Sequence, residues 1–268
     1  MISALHSEWY KLWRRGMVLG VIGTTVGTTC LLTIVIFARA SSAAPGATAG
    51  QLLSGLSPSL ASLSTSVGSV QGLKIAGDFI GLISLVFFAQ VIGSEYRDGT
   101  LKVLLSHEPR RLQLLAGKLT ALAAFVAVAV LAAFAFEVAT AVVLAGARGA
   151  STDAWWTNDA LQNAIGLAAR TIAAVIVRGL MGGFLAVLFC AAVPAIGVGL
   201  GYTFVADALI VAAWPDGRNW LPHEALVAFA QGGKAQLETG QAGLLIAAYA
   251  IVFLVVAGAL FRGRDVTT

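Results

Sequence analysis

Four ionisable residues stand inside runs that are otherwise apolar: Glu137, Arg170, Arg178 and Asp207. A charge at the centre of a bilayer costs about 2.5–3.5 kcal/mol on insertion scales, so each needs a partner, a watery cleft or a route to the interface. Two chemistries would use them. Glu137 and Asp207 could carry a proton or a cation, as intramembrane carboxylates do in pumps. Alternatively, Glu137 pairs with Arg170 or Arg178 and fixes helix packing. The second is preferred, because both acids fall toward the ends of apolar runs or in irregular stretches.

A second group lies together in sequence: Glu95, Tyr96, Arg97, Asp98, Gly99, Thr100 and Leu101. Its charges alternate in sign, Gly99 can take positive φ, and Thr100 can cap a helix that starts at Leu101. Leu101, Leu104, Leu105, Leu112 and Leu115 then offer apolar contacts, and Pro109-Arg110-Arg111 leads to Lys118. A short charged helix of this kind suits docking against another protein. The plainer alternative is a solvated loop made basic by topology.

Several chemistries have no machinery here. Gly232-Gly233-Lys234-Ala235 lacks the spacing and the hydroxyl of a phosphate-cradling loop, and no H-E-x-x-H or G-x-S-x-G occurs. The chain is therefore expected to be no enzyme, to hold no cofactor or metal, and to bind no nucleotide itself. Cys30 and Cys190 both sit in apolar runs, away from any second Cys or His at ligand spacing, and read as buried thiols.

The elements that position these residues follow from composition. Of 268 residues, 58% are hydrophobic and 11% charged, against about 25% charged in a soluble domain. Mean hydropathy is +0.87. Lipid is the solvent that suits such a chain. The net charge of +4 would suggest nucleic acid only if the cations clustered on a polar face; they stand at the ends of apolar runs instead.

Met17 to Ala38 is an uncharged run of 22 residues, about 33 Å as a helix, enough to cross a bilayer core. A cleaved secretory signal is the rival reading, but signal cores are shorter, about 7–15 residues. Arg39 to Lys74 reads as an outer loop with one short helix. A second span covers about Gly72–Ser94, with Asp78 near its outer end, and a third runs from Leu119 to about Ala145. Leu161 to Ala213, 53 residues, fits two helices joined by a tight turn near Pro194. A polar excursion, 214–241, precedes a sixth span at Ala242–Phe261.

Charge bias favours six spans over five. Ten of the 17 basic residues fall in the N-terminal segment, the 95–118 connection and the tail, which six spans place together in the cytoplasm. Trp9, Trp13, Trp155, Trp156, Trp214 and Trp220 all flank spans, as an interfacial belt requires. At the start, Ile2, Leu5, Trp9, Leu12 and Trp13 recur at helical spacing, so residues 1–15 are expected to form an amphipathic interfacial helix. The expected fold is thus all-α integral membrane: a single domain over 1–268, multi-pass in the cell membrane, with both termini cytoplasmic.

Glu95-Tyr96-Arg97-Asp98-Gly99-Thr100-Leu101 after a span, then Pro109-Arg110-Arg111 and Lys118 opening the next, resembles the type-2 ABC exporter permease family. So do Glu8-Trp9-Tyr10-Lys11-Leu12 at the start and Phe261-Arg262-Gly263-Arg264-Asp265-Val266 at the end. The resemblance implies a permease subunit that pairs with a second copy or a close relative, as homo- or heterodimer, and forms the substrate pathway. It implies two cytoplasmic ABC ATPase subunits beneath it, which bind the ATP and Mg. Residues 95–101 would then couple to the ATPase, and the 214–241 excursion would hold short re-entrant helices. Arg170 and Arg178 depart from the family's pattern. Membrane lipids are expected partners and nucleic acid is not. The alternatives are a carrier driven by an ion gradient through Glu137 and Asp207, or a membrane adaptor that transports nothing.

Overall fold

The computed structural model describes residues 15–40, 58–98, 111–234 and 237–263. Among them there is no strand; Lys234 and Leu237 form an isolated bridge. Six helices are long and apolar enough to cross a membrane: α1 (Val18–Arg39), α3 (Gln71–Arg97), α4 (Arg111–Arg148), α5 (Asn158–Phe189), α6 (Ala192–Ala213) and α8 (Thr239–Gly263). Two shorter helices, α2 (Leu60–Leu63) and α7 (Pro222–Gln231), lie between them. The amphipathic helix expected at 1–15 falls outside the described residues, as does the helix expected to start at Leu101.

Several boundaries move for local reasons. The third span is already helical at Arg111, where Leu119 is expected to open it, so residues 111–118 belong to α4. The fourth begins at Asn158, where the Thr157 hydroxyl accepts the Ala160 N–H at 3.3 Å and Asp159 occupies the first turn. The turn between α5 and α6 is at Cys190, in the left-handed region (φ 53°), and extended Ala191. Pro194 instead sits in the first turn of α6, where its missing N–H leaves no helical bond unmade. Lys74, expected in the outer loop, belongs to the first turn of α3.

The centre is the parallel pair α3 and α5, whose contacts run in step from Asp78 with Arg178 to Ile92 with Gly183, with α1 and α6 each packed on α3 and α4 against α1 and α5. Glycine lets the central pair approach. A Cβ at Gly179 would lie 2.5 Å from Ser84 Oγ, and one at Gly182 would lie 2.2 Å from the Leu85 carbonyl oxygen. Phe88, Phe125, Leu85, Ile80 and Leu122 fill the core beside them. In lipid, where there is no hydrophobic drive between helices, such close backbone contact is what holds them together. Gly182→Ala is therefore expected to destabilise the detergent-solubilised chain by about 1–3 kcal/mol, since its obstacle is backbone. Gly197→Ala, on an open face of α6, should leave unfolding unchanged; equal effects of the two would contradict the packing.

α1 presents a threonine stripe, Thr25, Thr29 and Thr33, to its neighbours. Thr29 and Thr33 hydroxyls each donate to the carbonyl four residues back at 2.9 Å, which satisfies them without water. At the end of the bundle where α1 stops and α5 starts, Trp155 is buried rather than interfacial: its Nε1 donates to the Leu63 carbonyl at 2.9 Å and its ring meets Phe37 edge-on. Trp156, Trp214 and Trp220 remain exposed. Arg148 Nη2 donates to Ala38 O at 2.8 Å, placing a cation at the C-terminus of α1.

Candidate functional site

Two polar constellations stand out, at opposite ends of the helices. The first gathers side chains from α3, α5, α6 and α7. Arg178 on α5 is 3% exposed and forms an ion pair with Asp78 of α3 at 2.5 Å. Its Nη1 also donates to the Asp78 carbonyl at 3.2 Å, and its Nη2 meets His223 Nδ1 at the start of α7. Gly81, one turn on from Asp78, makes the room: a Cβ there would lie 2.9 Å from Arg178 Cδ. α7 runs back along α5, with His223 beside Arg178 and Gly232 beside Arg170. Gly232 (φ 84°) ends α7 in the left-handed conformation that glycine adopts without strain.

Asp207 joins this network. It is 5% exposed, its Oδ1 has no hydrogen-bond partner among the described residues, and it lies within electrostatic reach of Glu224 and Arg178. Glu224 in turn accepts from Lys234 at 2.7 Å and Arg218 at 3.2 Å. Burial alone would raise the Glu224 carboxyl, but those two cations outweigh it and hold it below its usual range. Tyr249 of α8 donates to the Trp220 carbonyl, closing the segment over the helix ends.

Burial first, and then Arg178, hold the His223 imidazole below its ordinary value, against the pull of Asp78 and Glu224; Lys234 acts with Arg178. The neutral ring can accept from the guanidinium through Nδ1. The sign of the linkage follows. Between the unfolded value near 6.5 and the lower folded one, the unfolded chain binds more protons, so stability is full above about pH 6.5 and falls as pH drops through that window. Urea unfolding in detergent across pH 7.5 to 5 should show that fall, and His223→Gln should flatten it.

Glu137 is placed differently from the expectation. It meets neither Arg170 nor Arg178. Fully buried, its Oε1 accepts the Leu73 N–H at 2.7 Å beside Gly72, so it caps α3 from α4. Val70 precedes α3 and offers no capping side chain, which leaves early N–H donors for a carboxylate to satisfy. Arg170 stands apart again, lining a cavity of 340 Å³ with Lys74, Asn163, Leu167, Gln231 and Gly232 among others.

The second constellation is at the other end. Glu95, in the last turn of α3, and Lys118, in the second turn of α4, form an ion pair, with Lys118 4% and Glu95 14% exposed. Tyr96 is half-buried against the core, while Arg97 and Asp98 pair at 3.1 Å in the open. Gly99, Thr100 and Leu101 lie outside the described residues. Among the described residues, no three His, Cys, Asp or Glu side chains come close enough to hold a metal.

His223 and Glu224 are members that the sequence does not mark as site residues, and Asp78 is marked only as a charge near a span end. His223 leaves one further signal, a histidine directly after the Pro222 that opens a helix in the 214–241 excursion.

These features define an α-helical protein with six membrane-length helices and a polar network at one end of its central pair. Residues 32–267 match the family described as Protein of unknown function (DUF2705), and the chain belongs to that family. The comparison with curated proteins gives no match.

Proposed function

We propose that the chain is the membrane-spanning permease subunit of an ATP-driven ABC exporter, paired with a second permease subunit and driven by separate ATPase subunits below it. The observation that carries this reading is the buried Glu95–Lys118 pair. It clamps the ends of α3 and α4 on either side of the charged 99–110 connection, so a push on that connection moves both helices together. α3 is packed on α5, α1 and α6, so the movement reaches most of the bundle. In this reading Glu95, Tyr96, Arg97, Asp98, Gly99, Thr100 and Leu101 receive the ATPase, which binds the ATP and Mg. Both termini and this connection are cytoplasmic; the polar network and α7 are outside.

The glycine pairs support the partner permease. Gly179 and Gly183 are used inside the chain, against α3 and Leu119. Gly20, Gly23 and Gly27 on α1, Gly16 in the turn before it, and Gly197/Gly201 on α6 meet nothing within 4 Å. These open faces leave room for close contact with another helix, while the exposed Leu244, Ile251, Leu254 and Val255 of α8 suit lipid.

The reading is tested by labelling single cysteines in a variant without Cys30 and Cys190, and by nucleotide binding to the purified chain. Positions 98 and 266 should label only from the cytoplasm and position 217 only from outside. The isolated chain should bind no ATP, and hydrolysis should appear only with an ATPase subunit. Labelling of 266 from outside, or saturable ATP binding by the chain alone, would overturn it. A second reading, a carrier driven by an ion gradient, is favoured by one observation, the unpartnered Oδ1 of buried Asp207; it requires Asp207→Asn to abolish transport.

A further inference from the structure

Several charges at the outer end of the helices have partners. Arg178 holds Asp78, Glu224 holds Lys234 and Arg218, and Arg148 meets a helix carbonyl. Lys74 and Arg170 are different. Both line the 340 Å³ cavity between α3, α5 and the end of α7, together with Asn163 and Gln231. Neither meets a carboxylate among the described residues, and Arg170 Nε is buried with no hydrogen-bond partner.

The nearest acid on the same helix, Asp78, is committed to Arg178 at 2.5 Å. The Arg170 guanidinium is held rather than free: its Nη1 lies 3.3 Å from where a Gly166 Cβ would be, and its Nη2 lies 3.3 Å from the same point at Gly232. Both glycines therefore keep side chains away from the fork. A cavity with two cations, two side-chain amides and no anion is complementary to a group that brings negative charge and several acceptor oxygens. Planar guanidinium recognises such oxyanions in bidentate fashion, and lysine adds a point charge.

We infer that the cleft lined by Lys74, Arg170, Asn163 and Gln231 binds a phosphate-class oxyanion at the outer end of the helices. Two sources share this chemistry, the headgroup of an anionic phospholipid and free phosphate. The lipid source has a neighbour that suits it. A second cavity of 240 Å³, lined by Phe134, Val138, Trp155, Trp156, Leu161 and Ala164 among others, is mostly apolar and lies beyond a wall formed by Val70, Ala164 and Leu167. The site stands whether or not an ATPase partner exists.

The test titrates the detergent-purified full chain with dioctanoyl phosphatidylglycerol, dioctanoyl phosphatidylcholine and sodium phosphate, by calorimetry. Phosphatidylglycerol should bind saturably and about tenfold or more tighter than zwitterionic phosphatidylcholine, the worth of one charged hydrogen bond. Lys74→Gln and Arg170→Gln should each weaken it about tenfold, whereas Arg39→Gln, an exposed cation on α1, should not. Lys74 is exposed in the first turn of α3, so its variant reports on binding even where Arg170→Gln disturbs folding.

Displacement of the lipid by millimolar phosphate supports the free-anion source; its failure to displace supports the headgroup. Equal affinity for the two lipids, no saturable binding of either anion, or full binding by Lys74→Gln would overturn the site.

Discussion

Replacing Asp78 with alanine is expected to destabilise the folded chain by about 3 kcal/mol, the largest single-residue effect in the polar network. The reason is what remains behind. Arg178 is 3% exposed and would keep its charge with only neutral partners, the His223 imidazole and the backbone carbonyl of residue 78, to hydrogen-bond it. Removing one partner of a buried pair costs about 3–5 kcal/mol; the low end applies because the Asp78 side chain is itself 38% exposed. Asp78→Asn retains an acceptor and should lose less. The double change Asp78→Ala with Arg178→Met should recover much of the loss, since no buried charge is left without a partner. The measurement is a double-mutant cycle by unfolding in mild detergent, with an interaction term well above the scatter of independent sites. Simple additivity of the two changes would show that the pair contributes nothing.

The second large effect is on coupled activity. Glu95→Ala should leave membrane insertion and the Arg178 network intact, yet lower ATPase stimulation and transport by the assembled complex about tenfold, a coupling of roughly 1.4 kcal/mol. Lys118 would then lose the carboxylate that ties α4 to α3. The charge-swapped pair, Glu95→Lys with Lys118→Glu, should restore part of the activity, which a surface contact alone would not do. Arg97→Ala is expected to act by a different route. Its side chain is 70% exposed and its ion pair with Asp98 adds little stability, so its loss should weaken copurification of the ATPase more than the fold. A bulky residue at Gly99 should be more severe than either. Asp207→Asn and Glu137→Ala belong in the same series. If Asp207→Asn abolishes transport while Glu95→Ala does not, the ion-driven carrier is the better account. Glu137→Ala should act through stability, because it uncaps α3.

What the sequence made legible was set by long-range composition. Each span is a run of apolar residues bounded by charge or tryptophan, and such runs need no tertiary information to be read. The split of 161–213 into two helices was readable from length, but not the position of the turn. Pro194 drew attention to itself, whereas the chain turns at Cys190, a residue that has no preference for positive φ. Glu137 shows the harder limit. Its partner is a pair of backbone donors at the start of another helix, 64 residues earlier, and backbone donors leave no mark in a sequence. Asp78 and His223 are 100 and 45 residues from the Arg178 they share. Asp78 was visible as a charge near a span end, but its choice of arginine follows from the glycine-mediated contact of α3 with α5, which only the packed structure displays.

The most direct test of the exporter reading places a photo-reactive amino acid at Arg97, an exposed member of the proposed coupling surface, in the chain as it stands in its native membrane. The account predicts a cross-link to a soluble polypeptide that itself hydrolyses ATP, with a yield that changes when nucleotide is added and falls in the Glu95→Ala background. Cross-linking at Arg97 to lipid alone, or to a polypeptide that has no ATPase activity and no response to nucleotide, would contradict it.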